Sequence, residues 1–111
     1  MNIYDRAYEL AKALRESPEA QELREARSAA RADGDARRML DDFQERQEGL
    51  HQKMMSGEEP SQAEMDMMNG LYEVLSLNPL INRLFEAERR FSIIFDDVNR
   101  IVSESVQNVF E

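Results

Sequence analysis

The chain has no cysteine, no tryptophan, one histidine (His51), three prolines and four glycines in 111 residues. Without cysteine there is no disulfide, no thiolate metal site, no cysteine-held iron-sulfur cluster and no cysteine nucleophile. One histidine rules out a metal site built on imidazoles alone. So little glycine and proline cannot punctuate the many turns of an all-β sandwich, and long helices are favoured instead. No apolar run approaches the roughly 20 residues that a membrane span needs. The first residues, Met1 to Arg6, have neither the basic stretch nor the apolar run of a secretory signal, so the cytoplasm is the expected compartment and no membrane partner is expected. Positive charge is also scarce. With 14 basic residues against 23 acidic, the net charge of -9 repels phosphate backbones, and no direct nucleic-acid binding is expected.

What the chain does contain is 41% hydrophobic and 33% charged residues in a length that suits one domain spanning residues 1–111. Ile3, Ala7, Leu10 and Leu14 recur at helical spacing, with Asn2 as N-cap and Asp5 in the favourable first turn. Ser17-Pro18 predicts a break, because proline disfavours helical geometry before it yet fits the first position of a new helix. Beyond it Ala20, Leu23, Ala26 and Ala30 form a small-residue stripe that ends near Asp33, Gly34 and Asp35. A third helix, about residues 35–56, carries Ala36, Leu40, Phe43, Gln47, Leu50 and Met54 as a heptad seam with one polar member. Gly57 to Pro60 reads as a loop, and Ser61 with Glu64 as a capping box opening a helix through Met65, Met68, Leu71, Tyr72 and Leu75. Asn78-Pro79 is a second cap-and-proline junction. From there Leu84, Glu88, Phe91, Phe95, Val98, Val102, Ser105 and Val109 keep one period for roughly 30 residues, widened by Ile81, Phe85, Ile94 and Ile101. The expected fold is all-α: about five helical segments in three arms of an elongated antiparallel assembly, with a long C-terminal helix.

Tyr4-Asp5 with Ala7 and Leu10, Phe43-Gln44 followed by Gln47, Gly57-Glu58-Glu59, Asn78-Pro79-Leu80, and Glu86 to Phe91 together resemble the YlbF/YmcA family, formerly a domain of unknown function, and within it most closely the YheA branch. The resemblance covers nearly the whole chain. It implies a helical fold, self-association, and kinship with regulators of competence, sporulation and biofilm formation. Those regulators act in a complex with the YaaT protein that modulates the endoribonuclease RNase Y. The cysteines through which YlbF and YmcA hold iron-sulfur clusters have no counterpart here.

Few residues suggest chemistry. Glu48 and His51 have the Glu-x-x-His spacing of ferritin-like bundles, but a second such pair is missing, so a solvated helix edge is expected and no metal or other cofactor. Eight serines share one histidine, and several read as caps, so no catalytic residue is assigned. Glu88 interrupts an apolar row. A buried carboxylate must be paired, so Glu88 is expected to join Gln47 or an arginine in a structural polar core that fixes helix register, the alternative being a catalytic acid or a switch. Met54, Met55, Met65, Met67 and Met68 flank the Gly57 loop and suit either irregular core filling, a self-interface or an adaptable binding surface. Met55 and Met67, which fall off the main stripes, join Phe91, Phe95, Val98 and Val102 as the candidate interface. Arg83, Arg89, Arg90 and Arg100 read as a solvated face or as partners in intermolecular ion pairs.

The leading expectation is a non-enzymatic, self-associating protein, most simply a homodimer, acting as regulator or adaptor through protein contacts. The alternatives are an accessory factor of an RNase Y-type RNA-processing complex, with a partner in that machinery, and a carboxylate-based enzyme.

Overall fold

The computed structural model describes residues 2–111. It is all-α: α1 Ile3–Arg15, α2 Pro18–Ala32, α3 Gly34–Met55, α4 Gln62–Ser76 and α5 Pro79–Val106, with a 3-10 turn at Gln107–Val109 and no β-strand among the described residues. The five segments and the long final helix of 28 residues agree with the sequence pattern. No helix among the described residues is long and apolar enough to cross a membrane.

Local chemistry sets the boundaries. The Asn2 side chain accepts from the Tyr4 amide at 2.8 Å and opens α1. Ser17 Oγ donates to the Leu14 carbonyl at 2.7 Å and accepts from the Ala20 amide at 3.1 Å, so one hydroxyl closes α1 and opens α2. Asp33 caps α3 through the Ala36 amide at 2.9 Å, and Gly34 is the first helical residue, one before the start expected from the pattern. Asn78 accepts from the Leu80 and Ile81 amides ahead of Pro79.

Two compact units make up the chain, and α2 and α5 each supply residues to both. The larger, Ala26–Phe85, holds most of the core. Ala26 and Ala30 of the small-residue stripe and Ala36 of the α3 seam are buried where α2 gives way to α3. Leu40, Phe43, Leu75, Ile81, Leu84 and Phe85 add the large apolar side chains. Phe43 of α3, Tyr72 of α4 and Phe85 of α5 form an aromatic cluster, with Tyr72 and Phe85 stacked at a centroid distance of 4.8 Å. α3 and α4 run antiparallel: Phe43 lies near Tyr72, Arg46 reaches Met67, and Lys53 reaches Glu64. The smaller unit, residues 2–25 and 86–111 of those described, buries only Ala20 and Ala87 among its described residues.

The end of α3 is a Schellman motif. The Gly57 amide donates to the Met54 carbonyl and the Glu58 amide to the Lys53 carbonyl, both at 3.1 Å, while Gly57 takes φ +91°. A Cβ at Gly57 would meet no neighbour, so any cost of adding one is conformational. Gly57→Ala is therefore expected to lower stability by about 1 kcal/mol, read by urea denaturation, with secondary structure unchanged.

Gln47 and Glu88 are both exposed, and no polar or charged residue is buried among the described residues. This corrects the expectation that they form a polar core within the chain. The buried row of α3 fades after Phe43, before it reaches Gln47, and that of α5 ends at Ala87, one residue before Glu88. Periodicity identifies a helix face without revealing where the neighbouring helix stops covering it.

Candidate functional site

The first distinctive surface lies on the α3/α4 hairpin. Arg46, Gly49 and Leu50 from α3 and Glu64, Met67 and Met68 from α4 line an open groove of about 200 Å³. Gly49 sits inside a helix where glycine is unfavourable, and a Cβ placed there would touch nothing within 4 Å. Met67 is 52% exposed, and Met54, Met55 and Met65 on the same hairpin are exposed as well. The Arg46 guanidinium bonds Asp42 at 3.1 Å and lies 3.2 Å from the Met67 sulfur.

The hairpin end is clasped by Lys53 and Glu64 at 2.7 Å, across the Gly57 loop. The Glu64 carboxylate also accepts from the Ser61 amide, while its own amide donates to Ser61 Oγ, which completes the capping box. The Lys53 hydrogen bond, followed by the bonds to Ser61, pulls the Glu64 carboxyl down to about 2. The Glu64 hydrogen bond likewise holds the Lys53 ammonium above its ordinary value. A carboxyl whose folded value is depressed stabilises fully above its unfolded value, and that contribution fades as pH falls toward 2. The difference in melting temperature between the parent protein and Glu64→Gln is therefore expected to be largest above pH 5 and to shrink progressively between about pH 4.5 and 2, followed by circular dichroism.

The second surface belongs to the smaller unit. α1 has no buried residue, and Ile3, Tyr4, Tyr8 and Leu10 are exposed. Along the distal part of α5, Phe91, Ile94 and Val98 are half-buried, whereas Phe95, Ile101, Val102 and Val106 are exposed, Phe95 at 47%. The charges there pair along the helix surface: Arg90 with Glu86, and Arg100 with both Asp97 and Glu104. Such exposed pairs three or four residues apart contribute only tenths of a kcal/mol.

The six candidate interface residues thus fall into two groups. Met55 and Met67 are on the larger unit, and Phe91, Phe95, Val98 and Val102 on the smaller. Glu48 and His51 are exposed on α3, and among the described residues no group of three or more His, Asp or Glu side chains is arranged to hold a metal ion. Three features escape the sequence reading: the groove, the Lys53–Glu64 clasp and the aromatic cluster. The unexplained glycine inside α3 is the signal that could have pointed to the groove.

These features define a class: small all-helical proteins that carry broad apolar helix faces at their surface. Residues 3–107 match the family model described as control of competence regulator ComK, YlbF/YmcA, and the chain belongs to that family. A UPF0342 protein of Bacillus velezensis is 37% identical over 110 residues, covering 99% of this chain and 95% of its own length. A UPF0342 protein of Streptococcus agalactiae is 37% identical over 108 residues, covering 97% of each chain. Among solved structures, a protein of unknown function (DUF964) from Bacillus stearothermophilus aligns with a TM-score of 0.90 at 26% identity, over 98% of this chain and 96% of that one. YheA from Bacillus subtilis aligns with a TM-score of 0.72 at 25% identity, over 98% and 99%. The likeness to YheA agrees with the branch suggested by the sequence. The family is described by the control of a regulator, and that description names no reaction.

Proposed function

We propose that the chain is a non-catalytic helical protein of the cytoplasm that self-associates and acts as a regulator or adaptor through protein contacts, in a task of the regulatory kind its family description names. The observation that supports this most is the imbalance of the smaller unit. It buries two alanines while exposing tyrosines, isoleucines, valines and a phenylalanine along α1 and the distal part of α5. Apolar surface left this exposed on a small protein is an interaction surface or an aggregation liability. A second copy covers it with a closed, self-complementary contact, the commonest solution for soluble oligomers.

Size-exclusion chromatography with light scattering at tens of micromolar tests the proposal. A mass of twice 12.9 kDa is expected. A strict monomer that stays soluble at that concentration would overturn self-association.

A further inference from the structure

The residues of the α3/α4 groove all belong to the larger unit, whereas the faces invoked for self-association belong to the smaller. The groove combines three properties. Leu50, Met67 and Met68 give it an apolar lining built from flexible side chains that can repack around different shapes. Gly49 leaves its α3 wall bare, at a cost in helix stability that no contact within the chain accounts for. Its surroundings are strongly acidic: residues 41–76 hold nine acidic side chains against two basic, a net -7 within a chain whose total is -9.

Both basic residues between positions 41 and 76 are already engaged, Arg46 with Asp42 and Lys53 with Glu64. A helix is about 10 Å across, so the hairpin's acids stand within one or two Debye lengths of the groove at physiological salt and act on anything that approaches it. From Arg46 to Leu50 the α3 wall spans about one helical turn, roughly 6 Å, which matches a pair of apolar anchors at positions i and i+3 or i+4 of a guest helix.

We propose that this groove docks a basic amphipathic helix of a partner protein, its apolar stripe against Leu50, Met67 and Met68 and its lysines or arginines toward the hairpin's carboxylates. The inference rests on the reading of the chain as a protein-contact adaptor and names the chemistry of the partner. Charge complementarity selects this occupant. An acidic or neutral helix would gain only the apolar contact and would be repelled on approach.

The test uses the full chain labelled with carbon-13 at its methionine methyls, and an 18-residue peptide of leucine and lysine with the leucines at helical spacing. Methyl shifts concentrated at Met67 and Met68 are expected, with binding that weakens as salt rises. A peptide with glutamate in place of every lysine is expected to leave those methyls unmoved. Gly49→Leu puts a side chain into the groove from a better helix former whose Cβ meets no neighbour within 4 Å, so it should fold at least as well and bind the lysine peptide about tenfold more weakly, or worse.

Equal binding by the glutamate peptide, unchanged affinity in Gly49→Leu, or shifts that spare Met67 and Met68 would each overturn the proposal. So would shifts of those two methyls on concentrating the protein alone, which would make a second copy the occupant. Peptide binding by a protein that light scattering shows to be monomeric would remove self-association and leave the docking site standing. A dimer that ignores the peptide would do the reverse.

Discussion

Leu75→Ala is expected to destabilise the protein by about 3 kcal/mol, within the roughly 2–5 kcal/mol span of fully buried leucine truncations. Leu75 and Ile81 are the two largest side chains with no exposure, and both lie in the larger unit, where nearly all the core is concentrated. A core this thin has few other apolar contacts to absorb the loss, and an ordinary domain has only about 5–15 kcal/mol to spare. Leu77→Ala provides the control two residues away. Leu77 is 82% exposed, so its truncation should change stability by about 0.5 kcal/mol or less. Urea denaturation followed by circular dichroism, at one fixed protein concentration because association adds to apparent stability, separates the two. Equal effects from both substitutions would contradict the assignment of the core.

Val102→Asp is expected to weaken self-association by at least about 100-fold while leaving the hairpin folded. Val102 is half exposed on the broad apolar stripe of α5. Its replacement removes the apolar burial of the exposed half of the side chain, about 0.8–1.5 kcal/mol at each occurrence, and asks the interface to desolvate an unpartnered carboxylate. In a two-fold contact each substitution occurs twice, which takes the total past the 2.8 kcal/mol or so that corresponds to 100-fold. Ser103→Asp introduces the same charge one residue further on, at an exposed polar position, and carries the same penalty near a helix C-terminus. It should leave the dissociation constant within about threefold of the parent. Sedimentation equilibrium over a concentration series measures both. A Val102→Asp protein that associates like the Ser103→Asp protein would place the contact elsewhere.

The helix ends were readable from the sequence because their causes are local. Asn2, Ser17, Ser61 and Asn78 each satisfy amides two or three residues away, so nothing distant has to be known. The alanine stripe of α2 was readable for a related reason, since Ala20, Ala26 and Ala30 share one helix face whatever packs against it. The aromatic cluster was not. Phe43, Tyr72 and Phe85 appear as separate members of three stripes, and only the packing of three helices brings their rings within 6.3 Å of one another. Glu88 shows the same limit from the other side, because its position in a heptad row is a property of one helix and its exposure is a property of where the neighbours end. The Lys53–Glu64 clasp pairs residues 11 apart across a loop, a spacing at which neither helical nor strand periodicity makes any statement. For the candidate surfaces, the apolar width of α5 was visible as a pattern. The groove was not, because it is defined by a side chain that Gly49 lacks.

The Gly57 turn has a practical consequence for handling the molecule. α3 is closed by Ser56, Gly57 and Glu58, and α4 is opened by Ser61 and Glu64, so the backbone groups at each end are satisfied on their own side of the loop. Glu58 and Glu59 are exposed and belong to neither helix. Extra residues inserted between Glu59 and Pro60 therefore interrupt no cap, and each doubling of the connection costs only about 0.6 kcal/mol of closure entropy. A tetracysteine tag or a short epitope placed there would give a chain without cysteine its one addressable thiol cluster, a few residues from Met55, at a point where the fold already tolerates a reversal of direction.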